Sequence, residues 1–166
     1  MTFIQAASIS LWFLPFAVPI AIWVAWSDMA RMKIPNKAVM ALVAVYAVVG
    51  LIALPFEDYL WRYAHLGVVL AVGFVANAAR LLGAGDAKFA AAMAPFIALP
   101  DAVTFVYLFS VVLLAGFAVH RLARATPAIR GRTPQWESWS RKDFPMGLCL
   151  GSALVIYLAA GVVWGA

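Results

Sequence analysis

RLLGAGDAKFAAAMAPFIALPDAVTFVYLFSVVLLAGFAVHR, from Arg80 to Arg121, decides how the whole chain is threaded, because it holds either one bilayer crossing or two. A crossing needs about 20 predominantly apolar residues. The apolar run from Ala87 to Arg121 is roughly 35 residues long, too much for one ordinary span. Pro100 biases its predecessor away from helix and divides the run at Leu99-Pro100-Asp101. Two spans are therefore predicted, Ala87 to Leu99 and Ala102 to Arg121.

Outward from this stretch, apolar runs predict four further spans, near Ser8 to Ser27, Ala38 to Leu54, Tyr63 to Leu82 and Met146 to Trp164. The breaks carry Ile34-Pro35-Asn36, Pro55 and Gly83-Ala84-Gly85. The expected fold class is an all-α integral membrane protein of six transmembrane helices. It forms a single embedded domain over residues 1–166, with the loop 122–145 as its one sizeable extramembrane segment. A composition of 66% hydrophobic and 11% charged residues agrees, since a water-soluble core of this size cannot hide so much apolar surface. The first basic residue is Arg31, so the N-terminal apolar run lacks the charged start of a secretory signal and is expected to remain as a span. A single cysteine, Cys149, leaves no internal disulfide framework and no cysteine-built metal site.

The net charge of +5 is not a nucleic-acid footprint, because the basic residues fall between the apolar runs. Eleven of the twelve lie in the odd-numbered loops: Arg31, Lys33 and Lys37, then Arg80 and Lys88, then Arg121, Arg124, Arg130, Arg132, Arg141 and Lys142. Arg62 alone lies opposite. The positive-inside rule makes those loops cytoplasmic and places both termini on the periplasmic side.

The fourth span is short. About 13 residues give roughly 20 Å of helix against a hydrocarbon core of about 30 Å. Its glycine-rich start is expected to lie below the membrane surface, which is tolerated where protein buries it or water reaches it. Ala87, Ala90, Ala91 and Ala94 permit close helix approach and put this span at the bundle centre.

Asp28 closes the first span and Asp86 opens the fourth, so both come to the cytoplasmic end although 58 positions separate them. Carboxylates at that depth are expensive, so the two either mark a site of chemistry or ion movement or sit high enough to hydrate and merely end their helices. At about 4 Å apart, ionising both would cost roughly 4 kcal/mol at an effective dielectric near 20, so the pair would share one proton. The ionised partner then takes a proton from an attacking water while the other donates to the peptide carbonyl oxygen. Asp28 sits against the negative end of its helix and Asp86 at the positive end of its own, which assigns the proton to Asp28. Gly83 and Gly85 are expected to supply backbone angles closed to other residues. Lys88 is expected either to orient Asp86 or the substrate, or to reach for the interface.

Gly83-Ala84-Gly85-Asp86-Ala87-Lys88 resembles the GxGD motif, followed by lysine, of the type IV prepilin peptidases. Asp28 with Arg31, Ile34, Pro35 and Asn36 resembles that family's first-aspartate segment, and Phe144-Pro145-Met146-Gly147 its approach to the last helix. The resemblance implies a bacterial inner-membrane aspartic peptidase. Its catalytic pair would be Asp28 and Asp86, with Gly83, Gly85, Lys88, Pro35 and Asn36 positioning substrate or backbone. It would cut after a glycine that ends a basic leader and release a pilin with an apolar N-terminal helix. No metal and no cofactor are implied. Long members carry a cytoplasmic domain with paired CxxC motifs and methylate the new terminus; this chain has no such insert, so that activity is not expected. The compact form resembles the enzymes of Flp, or tight-adherence, pili, which makes a Flp-type prepilin the expected partner beside membrane lipid.

Elsewhere, Arg121 to Asp143 interleaves arginines with Trp136 and Trp139 and is expected to lie on anionic headgroups. Asn77 is expected to bond between helices, and the GxxxG spacings at Gly147/Gly151 and Gly161/Gly165 to pack the bundle or a homodimer face. His65 and His120 are placed at span ends on opposite faces, too far apart for one metal. Two rival readings remain: a small transporter or channel using Asp28 and Asp86 as a proton or cation site, and a structural assembly subunit.

Overall fold

The computed structural model describes residues 4–166. The described residues form α1 (Ala7–Arg31), α2 (Asn36–Ala53), α3 (Phe56–Ala78), α4 (Ala84–Met93), α5 (Ala102–Ala125), the single turn α6 (Pro127–Arg130) and α7 (Met146–Trp164), joined by short 3-10 turns. Five stretches, Ala7–Arg31, Asn36–Ala53, Phe56–Ala78, Leu99–Ala125 and Met146–Trp164, are long and apolar enough to cross a membrane.

The fourth predicted span, Ala87 to Leu99, is not one helix. α4 stops at Met93 and a 3-10 turn covers Ala94–Phe96. The chain is extended at Ile97 and Ala98, and a second 3-10 turn over Leu99–Asp101 leads into α5. Pro95 is the cause, since its ring would clash with the carbonyl one turn back and it has no N–H to donate. α3 also begins seven residues earlier than predicted, at Phe56. Pro55 caps it, and Glu57 and Asp58 in its first turn suit the positive helix end. His65 consequently lies well inside α3, not at a span end.

In lipid, helices associate through packing and hydrogen bonds, not through water exclusion. α7 is the best-covered span and lies along α1. Gly151 makes this approach possible, as a Cβ there would stand 3.1 Å from the Ala21 carbonyl oxygen. α4 lies across α3, α2 and α7. At its contact with α3, a Cβ on Gly73 would come within 2.9 Å of the Ala87 Cβ. Phe13, Tyr46 and Phe96 interlock α1, α2 and the turn after α4, with Phe13 edge-on to Phe96 at 4.8 Å.

At one end of the bundle the broken backbone is satisfied by a buried polar network. Asp101 accepts the N–H groups of Ile4 and Gln5 and the Tyr157 hydroxyl at 2.9 to 3.0 Å. Arg62 donates to Gln5 Oε1 at 2.9 Å and to the Pro95 carbonyl at 3.3 Å. The one basic residue outside the odd loops thus holds the α4–α5 break together. The Ala7 N–H bonds the Ala166 carbonyl at 3.3 Å, so the starts of α1 and α5 and the end of α7 share this end.

At the other end, residues 126–145 fold back onto the bundle. Trp139 is buried, stacks on His120 at 5.3 Å and donates its indole N–H to the Thr133 carbonyl at 2.8 Å. The expectation of a loop spread on headgroups therefore changes for Trp139, which serves as the loop's own core. Glu137 and Arg141 form an exposed ion pair at 3.0 Å, worth about 1 kcal/mol at most.

Candidate active site

Asp28 sits in the last turn of α1, where Met32 ends the helix with a left-handed backbone (φ 51°) and bonds the Asp28 carbonyl at 2.8 Å. Its side chain is buried, only 5% exposed. Oδ2 accepts the Gly147 N–H at 2.7 Å. α7 begins at Met146, so this N–H belongs to a first turn whose donors have no partner within the helix. The positive end of α7 thus meets the carboxylate and offsets the negative end of α1. The helix-dipole reason for giving the shared proton to Asp28 is removed, because each aspartate now faces a helix N-terminus. A Cβ on Gly147 would lie 3.0 Å from Asp28 Oδ2 and 3.0 Å from Ile34 Cδ1, so glycine is what lets α7 come this close.

Asp86 is the third residue of α4, after Gly83 as cap. Its carboxylate folds back over Gly83, with Oδ2 2.5 Å from where a Cβ on that residue would stand. This is the reciprocal arrangement of a capping box, an acidic side chain at the third position reaching toward the cap's own N–H. The expectation of unusual glycine angles is not met: Gly83 has φ −66° and ψ 143°, ordinary extended backbone, and none of the described glycines has positive φ. Gly83 is needed for space. Gly85 is less constrained, since a Cβ there would touch Ile34 at 3.4 Å, normal contact.

Both aspartates line one cavity of about 830 Å³. Asn77, Arg80 and Gly83 form one wall, Leu113, Leu114 and Phe117 of α5 another, and Arg141, Asp143 and Phe144 of the folded loop a third. Asn77 does not bond between helices as expected; its amide donates to the Leu82 carbonyl at 2.8 Å and ties down the α3–α4 turn. In that turn Arg80 takes a left-handed conformation, φ 60°. Asp86 precedes the buried part of α4 and lies outside the five spanning helices.

The other expected positioning residues lie elsewhere. Lys88 and Asn36 line a separate groove with Val39, Leu66 and Ala91. Pro35 caps α2. Among the described residues no cluster of His, Cys, Asp or Glu could hold a metal ion. The residues that sequence reasoning did not place in the site are Gly147 as the partner of Asp28, and Arg141, Asp143 and Phe144 as a wall. The Phe144-Pro145-Met146-Gly147 run at the start of α7 was the available signal for Gly147 and Phe144. Nothing local marks Arg141 and Asp143, because they reach the cavity only through the folding of the loop.

The family model described as the type IV leader peptidase family matches residues 15–119, a stretch that contains both Asp28 and Asp86. No curated protein and no solved structure matches the chain.

Proposed function

From the premise that the chain belongs to the type IV leader peptidase family, we propose that it is an aspartic endopeptidase whose catalytic pair is Asp28 and Asp86. One observation carries the reading: two carboxylates far apart in sequence line the same cavity, at the end of the bundle where α1 ends and α4 and α7 begin. The pair shares one proton. The ionised carboxylate removes a proton from a cavity water as its oxygen attacks the scissile carbonyl carbon, and the protonated one donates to the carbonyl oxygen. The resulting gem-diol collapses with proton transfer to the leaving nitrogen, freeing a new N-terminus and a leader carboxylate. Titration belongs to the pair and not to either member. The Gly147 N–H and the Gly83 cap position the two carboxylates.

The proposed substrate is a Flp-type prepilin, cut after the glycine that ends its leader. The proposed topology counts the short α4 segment with its 3-10 turns as a sixth crossing. That puts both termini in the periplasm, and the dyad with the eleven odd-loop cations at the cytoplasmic face of the inner membrane. Methylation of the new terminus is not part of the proposal, because the one cysteine, Cys149, is buried in α7. A transporter would need a polar path onward from the cavity, but α4 and the turn after it continue inward through buried Phe89, Met93 and Phe96.

Co-expression of a tagged Flp-type prepilin with wild type, Asp28→Ala and Asp86→Ala tests the assignment by the size of the pilin. Processing by wild type and by neither variant is expected. Undiminished cleavage by either variant excludes the dyad, and an uncut precursor with wild type removes the peptidase reading for this substrate.

A further inference from the structure

The two least covered spans are α3 and α5, and they flank a single trough. In the most apolar 18-residue window of α5 none of the residues is buried, and in that of α3 only 11% are. α3 packs on α4 and α5 on α7, so the faces that α3 and α5 turn toward each other stay open. Between them runs an apolar trough of about 550 Å³, floored by Ala90, Met93 and Ala94 and by Leu150 of α7.

The trough and the dyad cavity share no lining residue, but they lie in line along α5. On α5, Phe105 and Phe109 face the trough, while Leu113 and Phe117 face the cavity. The four recur every fourth residue and form one stripe along the helix. On α3, Ala64 and Val68 face the trough, while Asn77 in its last turn and Arg80 in the turn that follows line the cavity. From Phe105 to Phe117 the stripe is about 18 Å long at 1.5 Å per residue. Beyond the carboxylates and guanidinium groups at the dyad, the lining is apolar apart from the His65 imidazole and the Trp61 indole. Alanines in the floor and walls allow a helix backbone to come close, as small residues do between membrane helices.

Resting on the peptidase reading above, we infer that this trough docks the apolar N-terminal helix of the prepilin, entering sideways from the lipid between α3 and α5. The polar residues around the cut then meet the cavity and the following helix lies along the Phe105 to Phe117 stripe. A lipid acyl chain would match the trough but not the charged cavity at its end. A chain that is polar at the cut and apolar for the next several turns matches both. Held this way, the helix fixes the depth of the scissile bond relative to Asp28 and Asp86, so docking energy is used for positioning.

Full-length Asp86→Asn protein, in liposomes with intact prepilin, would carry a photo-crosslinking amino acid in turn at Val68, Val106 and Val48. All three are about 60% exposed (62%, 60% and 63%), but Val48 lies on α2 away from the trough. Pilin adducts from Val68 and Val106, about tenfold above those from Val48, are expected. Adducts to lipid alone, or equal pilin adducts at all three positions, overturn the docking. In the active enzyme, Val106→Trp should lower kcat/KM on prepilin about tenfold or more, equivalent to about 1.4 kcal/mol, while Val48→Trp leaves it unchanged. Wild-type rates from Val106→Trp overturn the trough and leave the peptidase standing. A wild type that cuts nothing yet crosslinks pilin at Val68 and Val106 keeps the dock and removes the peptidase.

Discussion

Replacing Gly147 with alanine tests how the first carboxylate is held. The added methyl would stand 3.0 Å from Asp28 Oδ2, 3.1 Å from Asp28 Cβ and 3.0 Å from Ile34 Cδ1, each closer than ordinary carbon contacts. The Asp28 side chain and the start of α7 must move apart, which stretches the 2.7 Å bond from the Gly147 N–H. A hydrogen bond to a charged group contributes about 1.5 to 3 kcal/mol. If that stabilisation serves to position the carboxylate, its loss corresponds to roughly 10- to 150-fold in kcat. KM should change little, because the methyl touches Asp28 and Ile34 and not the trough. The assay is time-resolved processing of purified prepilin by reconstituted enzyme, with thermal unfolding followed in parallel. Gly151→Ala is the control: its Cβ would crowd Ala21 on the same helix pair, 3.1 Å from the carbonyl oxygen, one turn deeper and away from Asp28. Gly151→Ala should therefore lower stability with little loss of kcat. Wild-type kcat in Gly147→Ala, or equal losses of kcat in the two variants, would refute a positioning role for the α7 N-terminus.

Two further outcomes are expected. Gly83→Ala should cut processing severely without lowering thermal stability, because its backbone is ordinary but its methyl takes the place of the Asp86 carboxylate. Gly85→Ala should be tolerated, and equal effects at the two glycines would contradict the spatial argument. Arg62→Ala leaves Gln5 Oε1 and the Pro95 carbonyl without their donor. It should lower stability by about 1 to 3 kcal/mol, read by thermal unfolding, with kcat retained because the network lies at the end remote from the dyad.

Much of this protein was legible before any fold was in hand. Membrane residence follows from runs of apolar residues, which is a property of composition. The meeting of Asp28 and Asp86 at one end follows from the number of helices between them and the charge of the loops. Legibility failed where a neighbour distant in sequence sets the outcome. With the third span expected to start at Tyr63, Arg62 falls in a loop and His65 at a span end. α3 absorbs them, since Arg62 finds Gln5 and the Pro95 carbonyl inside the bundle. The break at Pro95 was readable and was passed over, because the alanines before it and the apolar residues after it make one hydrophobic run.

The sequence by itself determined that the chain lives in lipid and which acidic groups share an end, because hydrophobicity and charge act locally and add along the chain. Tertiary structure alone decided what each carboxylate touches. The Gly147 N–H reaches Asp28 across 119 positions, and the loop after α5 brings Arg141, Asp143 and Phe144 to the cavity wall. Such contacts depend on tenths of an ångström in how α7 lies on α1, and that distance is set jointly by every side chain between them, not by any one stretch of residues.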